Sequence, residues 1–412
     1  MKLLDLRIIN QKQREALDAQ EPGLPRAILP DLPDIKSHAL VISGIRRCGK
    51  STLLRQFANR LNKQYFYFNF DDIRLTEFQQ TDYGLLDTLI EESNAAILFF
   101  DEIQSAKQWE LYIRQKLDER YQIMITGSNA SLLSRELGTM LTGRQITREL
   151  FPFSYSEFCA YKDVTAGPES LKNYLNKGGF PEYIKNENDE ILIQLQSDIL
   201  YRNIAVRYGI RDVLSLRQLY LYLVTNHSQQ ISPGKLNQTA GVKSPTTVLE
   251  YLSYFEEAYF LNFLHCFAWS AKARSLAPKK VYITDPGFIK TSSVPSGENR
   301  GALLENFVYN SIITELASNI KSLEKDVFYF TGKSGHECDF IVSPFTNKPA
   351  KPLCIQVCYE LTAENQDREI SGLLEAMDFF KQDSGTIVTF NSEDLINIQG
   401  KTINVIPAWK LS

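Results

Sequence analysis

No stretch of this sequence is apolar for long enough to cross a bilayer. Its opening, MKLLDLRIINQKQREALDAQ, has neither an apolar signal core nor a small-residue cleavage site. The expectation is a cytoplasmic protein with no membrane partner. Positive charge is also scarce. The 412 residues carry 45 Lys and Arg against 49 Asp and Glu, a net charge of −4 and a pI near 5.8. Such a chain is no basic nucleic-acid coat, so any contact with nucleic acid must come from a local patch. The six cysteines (Cys48, Cys159, Cys266, Cys338, Cys354 and Cys358) form no C-x-x-C pair. That argues against a zinc site and a disulfide framework, and suits a reducing compartment. Internal repeats and low-complexity tracts are missing. What is left is ordinary globular composition, 43% hydrophobic and 23% charged, in a chain long enough for about two to four domains.

What is present begins with apolar runs at strand length. HALVISG, QYFYFNF, AAILFFDEIQ and YQIMITGSN read as buried strands, and KSTLLRQFANRL between the first two has helical spacing. Continuous apolar strands alternating with helices predict a parallel sheet covered on both faces. PRAILPDLPDIKS, ahead of the first strand, reads as an extended lead-in. Leu150–Tyr208 is mostly helical, broken at GGFPEY. From about Leu214 three helices follow, then two strands, FLNFLHCFAW and KKVYITD, with a loop between them. That order is the plan of a winged helix. SSVPSGENRG is the clearest linker. Beyond it a helix, strands at VFYFT, CDFIVS, LCIQVCYEL and GTIVTF, and a helix around 373–381 form a further α/β unit. The expected boundaries are 1–150 for the nucleotide-binding core, 151–212 for a helical lid, 213–291 for the winged helix and 300–412 for the last unit.

Gly44–Thr52, GIRRCGKST, fits G-x-x-x-x-G-K-[ST] between a strand and a helix, which is the context the pattern requires. Gly44 and Gly49 let the backbone curl so that the N–H groups of Ile45, Arg46, Arg47 and Cys48 face phosphate. Lys50 is placed for the β- and γ-phosphates of ATP. Ser51, with Thr52 behind it, is placed for Mg²⁺. ILFFDEIQ supplies the acids. Asp101, at a strand end, suits the metal, and Glu102 suits orientation or activation of the attacking water. The next strand ends in Thr126, Ser128 and Asn129, of which Ser128 and Asn129 are the favoured phosphate sensors. Asn69 is either a partner that holds Glu102 away from the water or a turn residue. An arginine must meet the charge that spreads over the γ-oxygens. Arg144 is preferred, ahead of Arg148 and Arg202, because Gly143 and GTMLT before it read as an exposed loop.

Together SGIRRCGKSTLL, NFDD, ILFFDEIQ, ITGSNASLLS and LTGRQITRELFPFSYSEF resemble the prokaryotic AAA-type ATPases of the family named for a C-terminal domain of unknown function, whose ATPase part is similar to the archaeal-ATPase branch. GGFPEY and GHECDFIV extend the likeness over most of the chain. The resemblance implies an ATP- and Mg²⁺-dependent P-loop domain with a helical lid. It also implies a winged helix and a C-terminal domain related to restriction-endonuclease-like folds. In that last domain Glu305 and Asp339 would be metal-binding acids, and the next strand would carry E-x-K. Here that strand reads IQVCYEL, with Gln356 for the acid and Cys358 for the lysine. Cysteine cannot replace a permanent cation at phosphate, so the expectation is a nuclease-like domain without cleavage, serving as a docking surface for a partner protein.

Three uses of ATP follow: a switch or motor acting on nucleic acid or a partner protein, an ATP-gated nuclease, or a nucleotide-binding scaffold without turnover. Glu102 argues against the scaffold. An oligomer would allow an arginine to arrive from a neighbour. DNA would meet Lys243, Ser244, Thr246 and Thr247 at the start of the third helix and Lys272, Arg274, Lys279 and Lys280 in the wing. Against DNA stand Glu250, Glu256 and Glu257.

Overall fold

The computed structural model describes residues 1–34, 36–130, 141, 143–292, 299–318, 327–343 and 352–411. The chain divides into two compact units, Met1–Phe151 and Pro152–Ser412. Residues 293–298 of the expected linker lie outside the described residues, as do Ser131–Ser134 of the ITGSNASLLS motif and all of GTMLT except Leu141.

The first unit is built on five parallel strands, β1 Ala39–Ser43, β2 Tyr65–Asn69, β3 Ile97–Asp101, β4 Gln122–Gly127 and β5 Gln145–Glu149, in the order β2-β3-β4-β1-β5. β1, β3 and β4 are buried along their whole length, which is why each reads as an unbroken apolar run. Helices α1 Leu3–Asp18, α2 Lys50–Leu61, α3 Tyr83–Ser93 and α4 Trp109–Asp118 accompany them. α2 and α3 stop at Asn62 and Asn94, both left-handed (φ 48° and 49°), a conformation asparagine adopts at little cost. An aromatic core of Phe66, Phe68, Phe70, Phe78, Phe100, Tyr83 and Tyr112 fills one side, with Tyr83 stacked on Tyr112 at 4.2 Å.

The P-loop strand and the acid-bearing strand are not neighbours: β4 lies between β1 and β3, paired to both. The end of β4 therefore stands between phosphate loop and acids, at the crevice where strand order reverses.

β2 is an edge strand with main-chain groups that need partners. α1 supplies them from one face. Asn10 donates to the Tyr67 carbonyl (2.7 Å), Arg14 to that of Tyr65 (2.8 Å) and Gln13 to that of Asn69 (2.9 Å), while the Gln13 carbonyl accepts from the Asn69 N–H (3.0 Å).

The second unit begins with helices α5 Tyr155–Lys162, α6 Pro168–Lys177, α7 Pro181–Asn186 and α8 Asp189–Asp198, the last running into a π-helix at Ile199–Val206. GGFPEY is a packing site. Gly178 is left-handed (φ 75°), and a Cβ there would stand 1.9 Å from the Asp285 carboxylate, which accepts from the N–H groups of Gly179 (2.7 Å) and Gly287 (2.8 Å).

Next come α9 Val213–Thr225, α10 Pro233–Thr239 and α11 Pro245–Glu257, with a three-stranded antiparallel sheet of β6 Gln230–Ile231, β7 Leu261–His265 and β8 Lys279–Ile283 in the order β6-β8-β7. The expected loop between the last two strands contains a short helix, α12 Ala271–Leu276. After α13 Pro286–Ser292 and α14 Arg300–Ser318, a mixed six-stranded sheet is formed from β9 Val327–Thr331, β10 Glu337–Val342, β11 Leu353–Val357, β12 Ser384–Thr389, β13 Asp394–Ile398 and β14 Lys401–Pro407. Its order is β13-β14-β12-β11-β10-β9, and α15 Gln366–Phe379 packs on it.

Candidate functional site

Where β1 ends, the chain turns under tight constraint. A Cβ on Gly44 would sit 2.1 Å from the Leu150 carbonyl oxygen, so only glycine fits. Arg47 (φ 64°) and Gly49 (φ 102°) are left-handed, curling the loop into the first turn of α2. Ile45 and Cys48 are buried, and the Cys48 thiol donates to the Leu150 carbonyl at 3.3 Å. Arg46 faces Asp71 at 3.3 Å. Arg47 is exposed.

Lys50 opens α2 and reaches back across the loop. Its ammonium donates to the carbonyls of Gly44 (3.0 Å) and Ile45 (3.1 Å) and stands 3.5 Å from Glu102. Burial works against its charge, but Glu102, Cys48 and Asp101 hold its pKa above the ordinary lysine value.

The two expected metal ligands meet. Ser51 Oγ donates to Asp101 at 2.5 Å. Thr126 donates to the other carboxylate oxygen, and Tyr67 adds a bond of 2.9 Å. A hydroxyl and a carboxylate are hard oxygen donors of the kind Mg²⁺ takes, so this pair fits the ion. Burial, with Glu102 beside it, raises the Asp101 pKa.

Glu102 is itself left-handed (φ 49°), which turns its side chain back over the strand end. Its carboxylate accepts from the Ser128 N–H (3.1 Å), the Ser128 hydroxyl (2.9 Å) and Gln104 (2.5 Å). Burial opposes its charge, yet Lys50 and these donors hold its pKa below the usual carboxylate range. It is an ionised acceptor fixed in place.

Lys50, Ser51, Asp101, Glu102 and Ser128 thus come together. Asn129 lies alongside, buried, with its carbonyl accepting from Ser43 Oγ at 3.1 Å. Asn69 is a turn residue: its side chain accepts from the Asp71 N–H (2.9 Å), and Ser128 and Gln104 instead hold Glu102.

Arg144 does not join its own site. It precedes β5, whose Gln145 pairs with Ala39 at the start of β1. That puts it at the opposite end of the strands from the P-loop, about 15 Å along them. There it pairs with Asp118 at 2.8 Å. Arg148 is buried within β5, and Arg202 is an exposed residue of the π-helix, 3.8 Å from Asp198.

One residue of the lead-in matters more than its sequence indicates. Arg26 is buried under the loop, donating to the carbonyls of Cys48 (2.8 Å) and Phe151 (2.8 Å). A lone arginine among prolines gives no such signal.

The basic patch expected in the second unit is smaller than read. Lys280 is buried against Asp339 (2.8 Å), Glu305 (3.0 Å) and Glu337 (3.2 Å), and Lys279 is half-buried over the Phe263 ring. Lys243 and Lys272 remain exposed.

Against known proteins, the family described as AAA domain matches residues 36–159, and a domain of unknown function (DUF8612) matches residues 168–294. The whole chain is similar to a Methanocaldococcus jannaschii protein named only as uncharacterized, with 33% identity over 399 residues, covering 90% of this chain and 87% of that protein. The chain belongs to that protein's family. A Haemophilus influenzae protein, also named as uncharacterized, is 28% identical over 397 residues, 90% of this chain and 94% of its own length. Among solved structures, Cdc6p of Pyrobaculum aerophilum aligns over 77% of this chain and 93% of that one at 14% identity and a TM-score of 0.25, too weak a likeness to argue from. This member of the family carries an AAA domain on a parallel five-stranded sheet, an ATP-binding arrangement of the P-loop type. Among the described residues, no helix is long and apolar enough to cross a membrane.

Proposed function

We propose that the chain hydrolyses ATP with Mg²⁺ and uses the cycle as a switch or motor on a partner. The observation that carries this is Glu102, ionised, half-buried and held by Ser128 and Gln104 beside Lys50 and the Ser51–Asp101 pair. A scaffold that only bound nucleotide would not need it.

In this reading Lys50 leaves the carbonyls of its own loop for the β- and γ-phosphates. Ser51 and Asp101 would hold Mg²⁺, which would supply charge neutralisation at the phosphates. Glu102 orients the water and accepts its proton, and Ser128 keeps Glu102 aimed. Arg144 faces away from its own loop, so it serves a neighbouring copy or not at all.

The second unit is read as a helical lid, a winged helix over 213–291 and a nuclease-like α/β fold over 300–412. Its partner is better read as protein than as DNA. Lys280 is lost to the carboxylates, while Leu249, Trp269 and Leu276 are 52%, 80% and 76% exposed.

The test is ATP binding by calorimetry and turnover by phosphate release. Lys50→Ala should weaken ATP binding by about 10-fold or more, the loss of a charge-assisted contact. Glu102→Gln should bind ATP normally and turn over about 100-fold more slowly. Arg144→Ala should abolish any rise of turnover with protein concentration. Equal turnover in wild type and Glu102→Gln would sink the reading.

A further inference from the structure

Arg144 lies at the far end of the strands and Arg148 is buried within β5. The phosphate loop carries arginines of its own. Arg46 is its third residue, and the guanidinium is paired with Asp71 at 3.3 Å. That pair crosses the site. Arg46 follows β1 and Asp71 follows β2, the two ends of the run β2-β3-β4-β1. Neighbouring strands are about 4.8 Å apart, so arginine and aspartate together span the carboxyl ends of β4 and β3. The residues that directly follow those two ends are Ser128 and Glu102.

The aspartate end of this bridge is fixed. The Phe70 N–H donates to the Asp101 carbonyl at 3.0 Å, which hooks the turn after β2 onto the acid-bearing strand. The Asn69 side chain accepts from the Asp71 N–H at 2.9 Å and sets Asp71 within that turn. Asp72 is engaged elsewhere, by Arg74 at 2.6 Å and Gln13 at 3.0 Å. Of the two acids in NFDD, Asp71 is therefore the one that meets Arg46. Glu102 also feels the arginine. Burial opposes the Glu102 charge, and after Lys50, Gln104 and Ser128 the charge of Arg46 helps to hold it. The guanidinium is within electrostatic reach of that carboxylate.

The bridge is weak. The side chains of Arg46 and Asp71 are 25% and 46% exposed, and an ion pair so open to water contributes little. The terminal phosphate of ATP offers more negative charge than one carboxylate, and a guanidinium meets its oxygens with parallel N–H groups. The loop backbone holds the Arg46 Cα beside the phosphate position, so rotation of the side chain alone separates Asp71 from the γ-phosphate. No such move is open to Arg26, which is buried beneath the loop on the Cys48 and Phe151 carbonyls.

We infer that Arg46 is the catalytic arginine of this site and acts in cis, leaving Asp71 to meet the charge that develops on the γ-phosphate. The inference rests on the ATPase reading given above. In that reaction the oxygen of water bonds to the γ-phosphorus, the bond from that phosphorus to the bridging oxygen of ADP breaks, and Glu102 takes the proton of water. Charge spreads over the γ-oxygens and the departing bridge, and a cation engaged only at that stage raises the rate rather than the affinity. Lys50 binds the ground state as well. Arg46, latched on Asp71 beforehand, is the cation kept for the later stage. Turnover then needs no arginine from a neighbouring copy.

The test uses the full chain with Mg²⁺. Calorimetry gives ATP affinity, phosphate release gives turnover, and retention of labelled ADP with aluminium fluoride reports the transition-state arrangement without turnover. Arg46→Ala should bind ATP within about 3-fold of wild type, turn over about 100-fold or more slowly and fail to retain ADP with aluminium fluoride. Arg46→Lys should recover only part of the rate, because an ammonium lacks the paired N–H groups. Asp71→Asn, which frees the arginine, should turn over at least as fast as wild type. Wild-type turnover per chain should not change on dilution. Should Arg46→Ala fail to fold by circular dichroism, Arg46→Gln, long and uncharged, takes its place. Full turnover without the arginine, a loss of ATP affinity that accounts for the lost rate, or turnover per chain that falls on dilution overturns the inference and, with Glu102→Gln slow, leaves the ATPase reading standing. A wild type that does not hydrolyse ATP, or does so no faster than Glu102→Gln, overturns that reading and this inference with it.

Discussion

Glu102 is a residue whose backbone and side chain serve one end. Its left-handed conformation is unfavourable for glutamate, and such strain persists only where the surroundings impose it. Here the Thr126 hydroxyl takes the Glu102 N–H at 3.2 Å while Ser128 takes the carboxylate. β4, lying between β1 and β3, carries Thr126 and leads directly into Ser128. Ser128→Ala removes one of three donors and leaves the phosphate loop untouched. The expected result is unchanged ATP affinity, by calorimetry, with turnover reduced about 10-fold, in line with loss of one hydrogen bond to a charged group. A variant that loses affinity instead would mean that Ser128 touches the nucleotide rather than the acid.

At the scale of elements, what the sequence discloses divides by physics. β1, β3 and β4 are legible because complete burial leaves an unbroken apolar run. β13, largely exposed, carries no such signal and is unreadable. The position of β4 is also unreadable, since pairing between distant segments leaves no local mark. α1 is the instructive case. Asn10, Gln13 and Arg14 look like a solvated helix face, yet they finish the edge of β2. Gln13→Ala should therefore leave the Asn69 N–H and C=O without their side-chain partner and cost about 1–3 kcal/mol in urea unfolding. Lys12→Ala, exposed on the same helix, should cost less than about 0.5 kcal/mol. Equal effects would show that α1 does not cover that edge.

Across the whole molecule, the residues proposed for the phosphate site are legible from spacing, because the P-loop pattern and the acid pair are each local in sequence. The ion-pair cluster around Lys280 is not, because Lys280, Glu305 and Asp339 come from β8, α14 and β10. Lys280 read as a surface base, and nothing in KKVYITD distinguishes it from Lys279. Buried charge has a further consequence, in pH dependence. Burial raises the pKa of Asp285 to about 7, against the backbone N–H groups of Gly179 and Gly287 that pull it down. A carboxyl with a folded pKa above its unfolded value of 3.8 binds its proton more tightly in the folded chain. Its stabilising contribution is full below about pH 4 and is lost as pH rises through about 7. Glu305 acts in the same sense. In denaturant titrations from about pH 5 to 8, the second unit should weaken with pH, and Asp285→Asn should reduce that slope whatever it does to the absolute midpoint. A slope identical to wild type would mean that Asp285 stays ionised throughout.

The contacts beneath the phosphate loop tie it to the last residues of the first unit. Arg26 bonds the Cys48 carbonyl with one nitrogen and the Phe151 carbonyl with another, Cys48 reaches the Leu150 carbonyl, and Gly44 leaves no room beside it. Leu150 and Phe151 are the last residues before the chain leaves the first unit. The loop and that exit are therefore one mechanical piece, with arginine as the strut. If Lys50 leaves the Gly44 and Ile45 carbonyls for phosphate, a shift of the loop backbone is expected to reach residue 151 through these same bonds.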